Sequence, residues 1–163
     1  MKMRLASLLA VGVLVSMTLS AQTKISGALS CMKPDPLNSI DTGDGSGTVM
    51  NLAKVQCTWT KGMEMAGVTT KDGSSVSASE VHGGKTKDHG IHVGNMANGD
   101  KYYVHFQSTG TAKPDHSGTS DGTWSFDGGT GKLKGLTGKG TYKATNNADG
   151  TSTVDVLGEY KTP

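Results

Sequence analysis

The chain has 163 residues, with 16 Lys and Arg against 14 Asp and Glu, and aromatic residues make up only 5% of it. No basic patch interleaved with aromatics is present, which argues against nucleic acid as a partner. The length suits one domain around a single core.

The first residues, MKMRLASLLAVGVLVSMTLSAQ, open on Lys2 and Arg4, run through a mostly apolar stretch from Leu5 to Leu19 and end on the small residues Ser20 and Ala21. That is the layout of a secretory signal peptide cleaved after Ala21. The apolar stretch is shorter than the roughly 20 residues a spanning helix needs, so no membrane anchor is expected after cleavage. Residues 22–163 are then one exported domain, periplasmic or secreted. Residues 1–21 hold two bases and no acid, which leaves 14 charges of each sign in the remainder. Its scattered lysines read as a solvated surface.

Cys31 and Cys57 both fall in the exported part. An even count in an oxidising compartment predicts one disulfide. Neither cysteine belongs to a C-x-x-C pair or sits beside an evident base, so a structural role is expected rather than a catalytic one. Two unpaired buried thiols are the alternative.

Beyond the cysteines the apolar residues alternate. In TVMNLAKVQCTWT one face carries Val49, Asn51, Ala53, Val55, Cys57 and Trp59, and the other Met50, Leu52, Lys54, Gln56 and Thr58. In KYYVHFQ, Tyr102, Val104 and Phe106 oppose Tyr103, His105 and Gln107; in TSTVDVLGEYK, Val154, Val156 and Tyr160 oppose Asp155, Leu157 and Glu159. A period of two predicts strands with one face on a core. SSVSASEVHGG, residues 74–84, reads either as a strand or as one short helical segment. Turn chemistry punctuates the runs at TGDGSG (42–47), KDGSS (71–75), ANGDK (97–101) and NADG (147–150).

Strands of this kind, without a helix long enough to cross over, predict an antiparallel all-β domain with little helix. Closure into a small barrel removes the edges of such a sheet, and glycine-rich strands suit the coiling that closure needs. In GGTGKLKGLTGKGTYK (128–143), Gly128, Gly129 and Gly131 are expected in a turn, and Gly135, Gly138 and Gly140 where strands bend or approach closely. A phosphate-loop reading fails, because neither glycine-lysine pair is followed by Ser or Thr and no helix start follows.

The segment GTWSFDGGTGKLKGLTGKGTYK (122–143), followed by TSTVDVLGEYK, resembles the allene oxide cyclase-like barrel group, which includes the plant dirigent proteins and many bacterial secreted proteins. The residues that carry the resemblance are Gly128, Gly129, Thr130, Gly131, Leu133, Gly135, Gly138, Gly140 and Tyr142. The resemblance implies an eight-stranded antiparallel barrel, often oligomeric, with an internal cavity. It supplies no site residue.

Residues that could carry chemistry are few. His105 lies in a strand with Tyr103 and Gln107; on an inner face these three would orient a small ligand, and on an outer face they are an ordinary polar exterior. Tyr102, Val104 and Phe106 make the better core set, which favours the outer face. Glu64 and Glu80 are further candidates, since a glutamate buried in a cavity would be a base. Three histidines (His82, His89, His92) and Met96 crowd HGGKTKDHGIHVGNM, and Met63 and Met65 add thioethers of the kind that hold Cu(I). His89 and His92, however, point to opposite faces of a strand, and the histidines, with His116, read as surface residues and the methionines as core. No G-x-S-x-G, H-E-x-x-H or other catalytic signature is present. The expectation is a binding or structural module without a cofactor, holding a small apolar or aromatic molecule, with self-association open. An isomerase- or cyclase-like enzyme in the same cavity and a periplasmic copper-binding protein are the alternatives.

Overall fold

In the computed structural model, which describes residues 22–163, ten β-strands account for nearly all regular structure. They are β1 (Thr23–Cys31), β2 (Leu37–Asp41), β3 (Val49–Lys61), β4 (Glu64–Met65), β5 (Val68–His82), β6 (Lys85–Met96), β7 (Lys101–Ala112), β8 (Gly118–Gly129), β9 (Thr137–Asn146) and β10 (Ser152–Lys161). Eight of them close a ring in the order β1, β3, β5, β6, β7, β8, β9, β10 and back to β1, every pair antiparallel. The closed barrel expected from the alternation and the turns is therefore the fold. The two extra strands are appendages: β2 pairs with the first half of β3 and β4 with the start of β5. The signal-peptide reading of residues 1–21 lies outside the described residues.

One phase decides which side chains face inward. Tyr102 and Val104 of β7 are 1% and 9% exposed, and the ladder carries their phase to the neighbours. Val104 stands opposite His92 on β6 and Phe126 on β8; Phe106 stands opposite Gly90 and Trp124. Side chains alternate strictly along a strand, so the inward set of each strand follows from its partner.

Two readings of local structure change. KDGSS, expected as a turn, lies inside β5, where the register against β6 shifts between Thr70 and Asp72; the bulge falls at Lys71, and Gly73 resumes regular pairing with Gly94. The ambiguous SSVSASEVHGG is strand up to His82, and its two glycines, at φ of 55° and 73°, form the tight turn into β6.

The two ends of the barrel differ. One end is plugged by Met63, Met65, Met96, Tyr102, Leu133 and Leu136, none more than 4% exposed. The glycine-rich segment delivers two of these: a single 3-10 turn over Gly131–Leu133 tucks Leu133 and Leu136 under the strands, while Lys132, Lys134 and Lys139 stay exposed. Gly131 has a φ of 53°, and a Cβ there would run into the Asp100 carboxylate, which accepts the Lys132 N–H at 3.2 Å. At the other end the segment after β1 and the turns after β5, β7 and β9 surround an open mouth.

Cys31 and Cys57 are directly opposed across β1 and β3 and form the predicted disulfide, both 6% exposed. Closing the chain over a separation of 26 residues restricts the unfolded ensemble, and reduction should lower unfolding free energy by roughly 3–4 kcal/mol. Urea melts with and without reductant measure it; unchanged stability on full reduction would contradict the structural role.

Inside the barrel, rings lie over glycines of nearby strands. A Cβ at Gly94 would overlap the Tyr102 ring, one at Gly90 the Phe106 ring, one at Gly122 the Tyr142 ring, and one at Gly140 or Gly158 the Trp124 indole. Overpacking of this kind costs about 1–3 kcal/mol. Gly94→Ala should destabilise by that amount in thermal unfolding, and by distinctly less in a Tyr102→Leu background, because the cost belongs to the pair.

Candidate functional site

Above the plug, the inward side chains leave a cavity of about 320 Å³. Its deeper walls are apolar: Leu29, Val104, Trp124, Phe126 and Val156. Trp124 and Phe126 meet edge to face with centroids 4.9 Å apart, and Tyr102 and Phe126 likewise at 5.9 Å. The Trp124 N–H is satisfied by the carbonyls of Thr141 and Leu157, each at 3.2 Å, so the indole presents only ring surface to the cavity.

The opposite wall is polar. Strand β5 supplies Ser75, Ser77 and Ser79 at alternate positions, and β6 supplies Asp88 and His92. The lower part of this wall is a hydrogen-bonded chain. The Trp59 N–H donates to the Tyr102 hydroxyl at 3.0 Å, that hydroxyl lies 3.5 Å from His92 Nε2, and His92 Nδ1 lies 2.9 Å from Ser75 Oγ. Both ring nitrogens are engaged by hydroxyls, each of which can donate or accept, so a neutral imidazole is satisfied at both ends. Burial pushes the imidazole down to about 4 and the Tyr102 phenol well above its ordinary value, so both are neutral near pH 7. Two neutral rings, each held by its neighbours, form a rigid polar ledge.

Higher on the wall sits Asp88, opposite Ser79 on β5 and Ser108 on β7. Burial raises its pKa, while the Ser77 hydroxyl, within hydrogen-bonding reach, and the charge of His89 oppose the rise. Across the cavity Tyr142 stretches over Gly122 toward Ser108. Its phenol is pushed up to about 12, first by burial and also by the charge of Asp88.

The candidates named from sequence lie elsewhere. Tyr103, His105 and Gln107 are on the outer face of β7, as the core set favoured, with the His105 side chain 55% exposed and its Nε2 3.2 Å from Asp127 Oδ2. His105 and Gln107 border a wide outer hollow of about 1060 Å³ with Lys24, Lys139 and Glu159. That hollow is open to solvent, which screens its charges. Glu64 is exposed on β4, and Glu80 lies on the outer face of β5 between Met50 and Lys87. None of the five lines the cavity.

Asp88, the serine column and the Tyr142 hydroxyl were missed, and His92 was misread as a surface residue. His82 and His89 are exposed as expected, but His92 points inward, on the face opposite His89. The available signal was the inward phase of Tyr102, Val104 and Phe106, which needs the β6–β7 register to reach His92. Among the described residues no three His, Cys, Asp or Glu side chains converge as a metal site would require.

No protein-family model matches the chain, and no curated protein matches it in sequence. Fold and cavity together define a small hollow antiparallel barrel, plugged at one end, with aromatic walls on one side and a hydroxyl-rich wall carrying one carboxyl on the other.

The buried neutral histidine makes stability depend on pH. With a folded value near 4 against about 6.5 unfolded, the unfolded chain binds the extra proton between those values. The contribution of His92 is complete above pH 6.5 and is lost as pH falls toward 4, about 3 kcal/mol in all. Urea melts at pH 7.0 and 4.5 should show a larger loss for the wild type than for His92→Gln. Equal losses would mean that the imidazole is solvated.

Proposed function

We propose that the protein is an exported binding barrel that holds a small, largely apolar or aromatic molecule in its interior. The observation that carries this reading is the cavity: about 320 Å³, at the lower end of small-ligand sites, with ring surfaces on one side and a few fixed polar groups on the other. The export half rests on the signal-like residues 1–21 and fits the Cys31–Cys57 disulfide, a bond favoured outside the reducing cytosol. No helix among the described residues is long and apolar enough to cross a membrane. The resemblance to the allene oxide cyclase-like group points the same way, as such barrels carry internal cavities. Catalysis in the same cavity, as an isomerase or cyclase, would fall on Asp88, the one carboxyl in the lining. Self-association would use the outer strip of Ile40, Met50, Leu52, Val76 and Ile91, each at least 42% exposed.

The chain has two tryptophans, Trp59 and Trp124, and both line the cavity, so intrinsic fluorescence reports its occupancy. Titration with 2-phenylethanol should change the emission saturably, and Ala144→Phe, which fills space near the mouth, should abolish the saturation. A linear response, or saturation that Ala144→Phe leaves intact, would place binding outside the barrel.

A further inference from the structure

The charge of the cavity lining is one-sided. Asp88 is its sole carboxylate, and neither Lys nor Arg is among the lining residues. The nearest titratable base on the same strand and face, His92, is neutral near pH 7 with both ring nitrogens engaged. The ion pairs among the described residues, Lys71–Asp72, His105–Asp127 and Lys143–Asp121, do not involve Asp88. A carboxylate withdrawn from water without a counter-charge inside the cavity is destabilising, and the pKa of Asp88 stays raised by burial despite the charge of His89 on the outer face. The Ser77 hydroxyl is within hydrogen-bonding reach of it, and Ser79 and Ser108 stand opposite it on the neighbouring strands; all are neutral and do not cancel its charge.

Position matters as much as charge. On β6, Asp88 is the inward residue one step nearer the mouth than Gly90, and Gly90 lies beneath the Phe106 ring. Phe106 stands opposite Trp124 and meets Tyr142 edge to face at 6.2 Å. A molecule entering from the mouth would thus meet rings below and the carboxylate at its trailing end.

Resting on the binding reading above, we infer that the cavity takes a small organic cation, a protonated amine whose ammonium pairs with Asp88 and whose apolar body packs on Phe106 and Trp124. An ammonium supplies the missing counter-charge and can donate to the carboxylate and to neighbouring serine oxygens together. The ring faces beside it add cation–π attraction. A divalent metal is a poorer fit, since among the described residues no group of three or more His, Cys, Asp or Glu side chains is placed to hold one.

Two probes of the same size separate this inference from the reading it rests on: 2-phenylethylamine, charged at pH 7, and 2-phenylethanol, neutral. Both are titrated into wild type, Asp88→Asn and Thr86→Lys, with tryptophan emission as the readout and thermal unfolding as the check on folding. Asp88→Asn removes the charge; Thr86→Lys places a cation on the same inward face of β6, one step closer to the mouth, and covers the case in which Asp88→Asn fails to fold. The amine should bind wild type at least tenfold more tightly than the alcohol. That preference should fall below threefold in either variant, with alcohol affinity little changed. Equal binding of the two probes to wild type, or an amine preference that survives both variants, overturns the cation inference while the cavity reading stands. Failure of both probes to saturate wild type overturns the cavity reading itself.

Discussion

The width of an eight-stranded barrel governs everything inside this protein. Such a barrel has room for side chains from its walls but not for a full complement of large ones at every inward position. Rings are admitted here by removing the side chain beneath them. Tyr102, Phe106 and Tyr142 each lie across an inward glycine of an adjoining strand, at Gly94, Gly90 and Gly122, and Trp124 reaches across Gly140 of β9 to Gly158 of β10. The glycines are therefore half of a packing pair. The flat rings leave open space above them that interdigitated aliphatic chains would have filled.

That open space acquires its polarity from β5 and β6, strands with small or polar inward residues. Serines at alternate positions keep the wall thin and carry hydroxyls that can donate or accept as a guest requires. His92, Tyr102, Trp59 and Ser75 bond to one another, and the burial that keeps His92 and Tyr102 neutral makes that part of the wall a fixed surface. Asp88 differs, because its charge has no answering cation in the lining. A polar network that is satisfied stabilises the fold, whereas a buried charge left without a partner costs stability. The cavity has both, one above the other.

The plug explains why the cavity opens at one end only. The glycine-rich segment between β8 and β9 reads in the sequence as a turn, and a turn it is, but its larger effect is to drive Leu133 and Leu136 beneath the strands to join three methionines. At the opposite end the β9–β10 turn is held by its own hydrogen bonds, as between Asp149 and Thr151, and no buried apolar cluster closes the mouth there.

Local chemistry in the chain was enough to determine the all-β class, the hairpin turns at 97–101 and 147–150, the pairing of the two cysteines and the outward lysines of the glycine-rich segment. Each depends on near neighbours: a period of two, a residue that tolerates positive φ, an even count of thiols. Which strand face is inner was legible only where one face was plainly apolar, as at Tyr102, Val104 and Phe106. In β5 and β6 the inner face is serine, glycine, aspartate and histidine, and by hydropathy alone it looks like a surface, while Val76 and Ile91 on the outer face look like a core. Only the closed ring of registers decided the matter. Pairing with β7 carries the inward phase to His92 and Asp88, and pairing with β6 carries it on to the serines. A site made of polar residues inside a barrel follows from hydrogen bonds between strands far apart in the chain, and no local pattern contains that information.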